Sequence, residues 1–74
     1  MTLETAPIGA NVVVAALAST PERRLRWAQM GIRPGAVVEV QSRTSGGGRI
    51  LGIGRCRVAV DHAVLTAVAV EPVA

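Results

Sequence analysis

The sequence predicts a mainly β fold: a small barrel of about five strands, with one short helix inserted after the first strand. Three observations carry this. Val is abundant in a composition that is half apolar yet has no Phe, no Tyr and a single Trp, and β-branched side chains favour pleated, half-buried surfaces. Short apolar or alternating runs are separated by clusters of Gly, Pro and Ser. Only Pro21 to Met30 carries the start and stop signals of a helix. With 74 residues the chain is read as one domain spanning 1–74. A chain this short buries only about 60% of its unfolded surface, so a catalytic cleft would consume much of its core.

Leu3 to Gly9 is a lead-in segment broken by Pro7 and Gly9. Val12 to Leu17 is apolar but far too short to span a bilayer, and reads as the first, buried strand. Ser19-Thr20-Pro21-Glu22 starts the helix. Thr20 can cap, Pro21 suits the first helical position, and Glu22 complements the positive end. Gly31 ends the helix by taking the left-handed conformation, and Pro34-Gly35 turns the chain. Ala36 to Arg43 is the second strand, with Val38 and Val40 on one face and Val37, Glu39, Gln41 and Arg43 on the other. Ser45-Gly46-Gly47-Gly48 reads as a flexible hairpin loop.

Arg49 to Ile53 is a third strand, with Ile50 of one parity and Leu51 and Ile53 of the other. Arg55 to Val60 is a fourth, with Cys56, Val58 and Val60 directed inward. Asp61 to Leu65 is a turn or a single helical turn, and Thr66 to Glu71 closes the chain as the last strand. A sheet this small buries itself best by curling up, which also limits exposed edges. The result is an SH3-like barrel with a helical insertion.

On the helix, Trp27 and Met30 share a side with Arg23, while Leu25 and Ala28 lie nearly opposite. Trp offers the largest single burial, so Trp27 and Met30 are expected in the core, with Arg23 over the indole. Leu25 is then at the surface between Arg24 and Arg26. It is either an isolated exposed Leu, which is ordinary, or a partner contact.

The net charge is +3, with eight Arg and no Lys. Two readings of the arginines stay open: a solvated surface that keeps the domain soluble, or a face for an acidic partner or nucleic acid. Single-strand binders add aromatic stacking platforms, which this chain lacks, and +3 is thin for phosphate binding, so no nucleic-acid partner is expected. One Cys excludes an internal disulfide and fits a reducing cytoplasm. Nothing in Met1 to Ala10 reads as a signal peptide, and no direct membrane insertion is expected.

Chemistry is sparse. Cys56 and His62 sit on different elements, and with Asp61 they make a metal site only if a second chain adds ligands. No Ser or Thr has a base at useful spacing, the five acids are scattered, and the Gly46–Gly48 loop lacks the Lys-Ser/Thr of a phosphate loop. No catalytic residue, cofactor or metal ligand is assigned.

The strongest pattern is a basic helix ending in Met30-Gly31-Ile32-Arg33-Pro34-Gly35, followed by a Val-rich strand, a Gly hairpin at Gly46, an Arg-x-x-aliphatic-Ala-aliphatic strand (Arg55 to Val60) and the closing apolar positions Leu65, Val68 and Val70. In order and spacing this resembles the FeoA family, the small cytosolic proteins of bacterial ferrous iron transport, over Leu3 to Glu71. Trp27 stands where the family usually has Leu. Gly47-Gly48 replaces a frequent Pro, which should loosen the hairpin. The barrel also resembles the C-terminal domain of iron- and manganese-dependent repressors. Those carry a helix-turn-helix region upstream that is not seen here, which points to transport. The resemblance implies an SH3-like fold, an association with transition-metal ions and a non-catalytic accessory role, acting on FeoB, a membrane transporter with a cytosolic GTP-binding domain. Self-association and nucleic-acid binding are the alternatives. The two-sided helix and the clustered arginines suggest a contact surface of Arg24, Leu25 and Arg26 with Ser45, Gly46, Gly47 and Gly48.

Overall fold

The computed structural model describes residues 1–73. Strand β1 (Asn11–Leu17) leads through helix α1 (Pro21–Gln29) to β2 (Val37–Arg43), followed by a 3-10 turn (Ser45–Gly47), β3 (Arg49–Ile53), β4 (Cys56–Val60), a second helix α2 (His62–Ala67) and β5 (Val68–Pro72). The strands form one antiparallel sheet in the order β4-β3-β2-β1-β5. Register shifts at Val14/Ala16 in β1 and Val40/Ser42 in β2 insert an extra residue, which sharpens the local twist and helps the sheet curl around its core. That core is aliphatic: Leu3, Val12, Val14, Ile32, Val38, Val40, Leu51, Leu65, Val68 and Val70 are buried, and Trp27 lies over them at 6% exposed.

Helix α1 begins and ends as its sequence dictates. Thr20 Oγ1 accepts from Arg23 N at 3.3 Å, and Pro21 opens the first turn. At the other end Gly31 takes φ 96°, Gly31 N donates to Ala28 O at 3.0 Å and Ile32 N to Trp27 O at 2.9 Å. This is the Schellman pair, and the accompanying apolar contact positions are Ile32 and Trp27, both buried. Gly31 is also packed: a Cβ there would meet Ile53 Cγ2 at 2.8 Å. The helix therefore leaves toward β2 at a fixed angle.

Four expectations change. The fold has two helices, not one. Asp61 caps α2 by accepting from Val64 N at 3.0 Å, Leu65 is fully buried, and the helix runs to Ala67, so the last strand starts at Val68 instead of Thr66. Met30 is half-buried at the cap, packed against the core without belonging to its centre. Cys56 has the inward parity of Val58 and Val60 but is exposed, because it starts an edge strand just past the Gly54-Arg55 turn and no element covers it. Arg49, one of the eight arginines read above as either a solvated surface or a partner face, is only 8% exposed.

Arg49 shares its parity with Leu51, so β3 delivers its side chain to the core face. There the guanidinium donates to Leu3 O at 2.9 Å, Ala6 O at 2.5 Å and Glu4 O. A buried charge is tolerable when hydrogen-bonded, and three carbonyls of one segment supply that here. The same segment lies along the free side of β5: Leu3 N donates to Val68 O at 3.1 Å, Val70 N donates to Met1 O at 2.7 Å, and Thr2 bridges Ala69.

Candidate functional site

Two surfaces flank α1, and they divide the predicted contact residues. Leu25 is 64% exposed. With Arg24, Ala28, Arg33 and Pro34 it lines an open groove against Ala15–Leu17 of β1, with a volume of about 650 Å³. The groove is mostly apolar with two guanidinium groups among its lining residues. It exists because α1 crosses the sheet on its Trp27 side, which leaves the opposite side unpartnered. Arg26 belongs elsewhere. Together with Arg23 and Trp27 it lines a smaller cleft, about 190 Å³, whose far side is Asp61, Ala63 and Val64 at the start of α2. Arg23 and Trp27 thus share one cleft wall.

The hairpin is a tight turn. Gly46 and Gly47 take φ of 80° and 84°, and Thr44 N donates to Gly48 O at 2.9 Å. Ser45, Gly46 and Gly47 are exposed, whereas Gly48 is buried. A Cβ at Gly48 would meet Thr44 Oγ1 and Val60 O, each at 2.6 Å, so glycine there allows backbone to approach backbone. Gly47 faces the ring of His62, at 3.7 Å from Nδ1 to a Cβ built on the glycine. The hairpin therefore stands beside the start of α2, and none of its residues lines the groove of Arg24 and Leu25.

The candidate metal residues do not converge. The Asp61 carboxylate caps α2, His62 Nε2 lies 3.9 Å from Glu4 Oε1, and Cys56 sits at the tip of the β3–β4 hairpin. Among the described residues no three His, Cys, Asp or Glu gather. The residue missed by sequence reasoning is Arg49. The signal is its parity with Leu51 and Ile53, which runs against the rule that an Arg is seldom buried.

A five-stranded antiparallel sheet curled on an aliphatic core, with a helix following its first strand, is an SH3-like domain. A family model for the FeoA domain matches residues 1–72. The chain belongs to the FeoA domain family. Among solved structures, the FeoA protein of Chlorobium tepidum superposes with a TM-score of 0.89 at 20% identity, covering 100% of this chain and 71% of that one. FeoA of Stenotrophomonas maltophilia, solved with zinc and described as a prokaryotic SH3 domain protein, gives 0.78 at 22% identity over 96% of this chain and 89% of that one. ScaR, solved with cadmium, gives 0.84 at 15% identity; this chain covers 35% of its length and is itself covered over 96%. No curated protein matches the sequence significantly.

Proposed function

We propose that this protein is a non-catalytic accessory component of bacterial ferrous iron uptake, acting in the cytoplasm by binding the cytosolic GTP-binding part of a FeoB-type transporter. The FeoA family is associated with ferrous iron transport, and the Stenotrophomonas maltophilia relative has been described as a candidate activating factor for it. The observation that carries the binding role is the groove beside α1, which an exposed Leu25 shares with apolar β1 residues and with Arg24 and Arg33. Such a surface suits an apolar anchor with acidic neighbours. Arg26 and the exposed hairpin residues Ser45, Gly46 and Gly47 extend the candidate surface around the domain. Among the described residues no helix is long and apolar enough to cross a membrane. Binding alters the transporter only by favouring one of its conformations, which requires different affinity for each.

The test is an amide-shift titration of the labelled chain with the FeoB cytosolic domain in its GDP and GTP-like states. Saturable shifts at Arg24, Leu25 and Ala28 are expected, together with their loss in a Leu25→Glu variant that keeps its fold. Unchanged binding by that variant removes the groove from the reading, and no shifts in either nucleotide state remove FeoB as the partner.

A further inference from the structure

The two edges of the sheet are treated differently. The β5 edge is covered by Met1–Leu3 through backbone hydrogen bonds. The β4 edge is bare: among the described residues, no backbone group of Arg55–Val60 bonds to anything except β3. Gly54 has φ 60° and Arg55 does not have positive φ, the pattern of a two-residue II′ hairpin with Gly first. In such a hairpin the flanking residues Ile53 and Cys56 exchange both bonds, so Leu51–Val58 and Arg49–Val60 do the same. The N–H and C=O groups of Arg57 and Ala59 therefore point away from β3, into solvent.

Side chains on this edge define what fits beside it. On the outer face Arg57 is exposed, and its neighbour across the ladder is Gly52, which has no side chain to shield it. Arg55 is exposed at the hairpin tip, and neither Arg makes an ion pair or a side-chain hydrogen bond among the described residues. On the inner face Cys56 is exposed and Val58 half-buried, although both have core parity. A strand added here would cover them.

We propose that the β4 edge is a second binding site, which takes an extended acidic segment of another protein as a sixth strand. Main-chain bonds to Arg57 and Ala59 supply the ladder, acidic side chains of the segment meet Arg57 and Arg55, and apolar ones at alternate positions extend the core over Cys56 and Val58. A second copy of this chain is the wrong occupant. Antiparallel pairing of two β4 edges sets Arg57 opposite either Arg57 or Ala59 of the other copy, so β4 offers Arg57 no acidic partner, and the first register faces like charges, which destabilise a ladder. The arginines thus discourage self-pairing while selecting an acidic strand.

The probe is a capped peptide of alternating Glu and Val, about eight residues long to match a typical strand. Three relatives accompany it: one with Lys for Glu, one N-methylated along one edge, and one N-methylated along the other. The expected result is saturable shifts centred on Arg57 and Ala59. Exchange of those two amides should slow by about tenfold when about nine-tenths of the chain is bound. The Lys peptide should not bind, and one of the two N-methylated peptides should fail. Arg57→Glu should reverse the preference, taking the Lys peptide in place of the Glu peptide. Shifts confined to the Leu25 groove, equal binding by both N-methylated peptides, no binding, or β4 shifts that follow protein concentration without peptide would each overturn the proposal. The FeoB titration is a separate experiment, so either site can fail alone.

Discussion

Replacing Arg49 with Met keeps much of the side-chain volume and removes the three donated bonds to Leu3 O, Glu4 O and Ala6 O. Bonds from a charged donor contribute about 1.5–3 kcal/mol each, so three independent bonds would sum to about 4.5–9 kcal/mol. The actual loss is smaller, because the freed carbonyls escape burial if the segment leaves. Without Arg49 the segment is held mainly by the buried Leu3 side chain, about 1.5–3 kcal/mol, and a few backbone bonds of about 1 kcal/mol each. Ordering six residues opposes this at about 1–2 kcal/mol per residue. Docking therefore depends on the guanidinium, and Arg49→Met should cost about 3 kcal/mol. A 74-residue domain has roughly 4–11 kcal/mol in total. The melting temperature should fall by about 12–24 °C, and exchange at the Leu3 and Val70 amides should rise more than at the β1–β2 ladder. Arg49→Lys should fall between, because one ammonium cannot present the planar fork that spans three carbonyls. A variant melting within about 4 °C of the parent, with Leu3 and Val70 still protected, would refute the reasoning.

Gly31→Ala should destabilise by about 2–3 kcal/mol, combining strain at φ 96° with the 2.8 Å approach to Ile53 Cγ2, whereas Gly35→Ala, at φ 88° in open space, should cost only about 1 kcal/mol; denaturant titration of both tests the difference. Thr20→Ala should remove about 1 kcal/mol by losing the cap on Arg23 N, seen in the same titration. Cys56→Ser should change stability by less than about 0.5 kcal/mol, and the parent thiol should react stoichiometrically with a thiol reagent in the folded state, since Cys56 is exposed.

Much of this fold is legible in the sequence because local and tertiary preferences agree. The stop at Met30-Gly31-Ile32 needs only glycine's conformational freedom and an apolar residue after it, and both the Schellman bonds and the burial of Ile32 follow. Where reading failed, the decisive interaction is nonlocal or depends on position in the sheet. Cys56 has core parity, but parity alone does not tell that β4 is an edge. Arg49 also has core parity, and the carbonyls that satisfy it lie more than forty residues away. Helix α2 is short and has no basic residue in its last turn, so only the Asp61 cap and the buried Leu65 separate it from a strand beginning. Helical periodicity puts Leu25 at the surface, where the structure has it, but Arg26 lines the cleft on the other side of α1, and the hairpin is anchored at a buried Gly48.

The asymmetry of the sheet edges ties Arg49 to association. β4 carries its own protection in Arg55 and Arg57, while β5 reads Val68-Ala69-Val70-Glu71-Pro72, with one charge and an uncharged run. An exposed apolar strand edge pairs readily with other chains. The N-terminal segment is what covers it, and Arg49 is what holds the segment by its carbonyls. Releasing the segment with Arg49→Met should therefore do more than lower stability. Below its melting temperature the variant should show a mass in light scattering that rises with concentration more steeply than the parent's, with protection returning at the Val70 amide, which faces the uncovered edge, as copies pair. An Ala69→Lys change in the same background, which puts a charge on the uncovered strand, should suppress the rise. If exchange shows the segment released while mass stays level with the parent's, the segment is a stabilising strap and not a guard on the β5 edge.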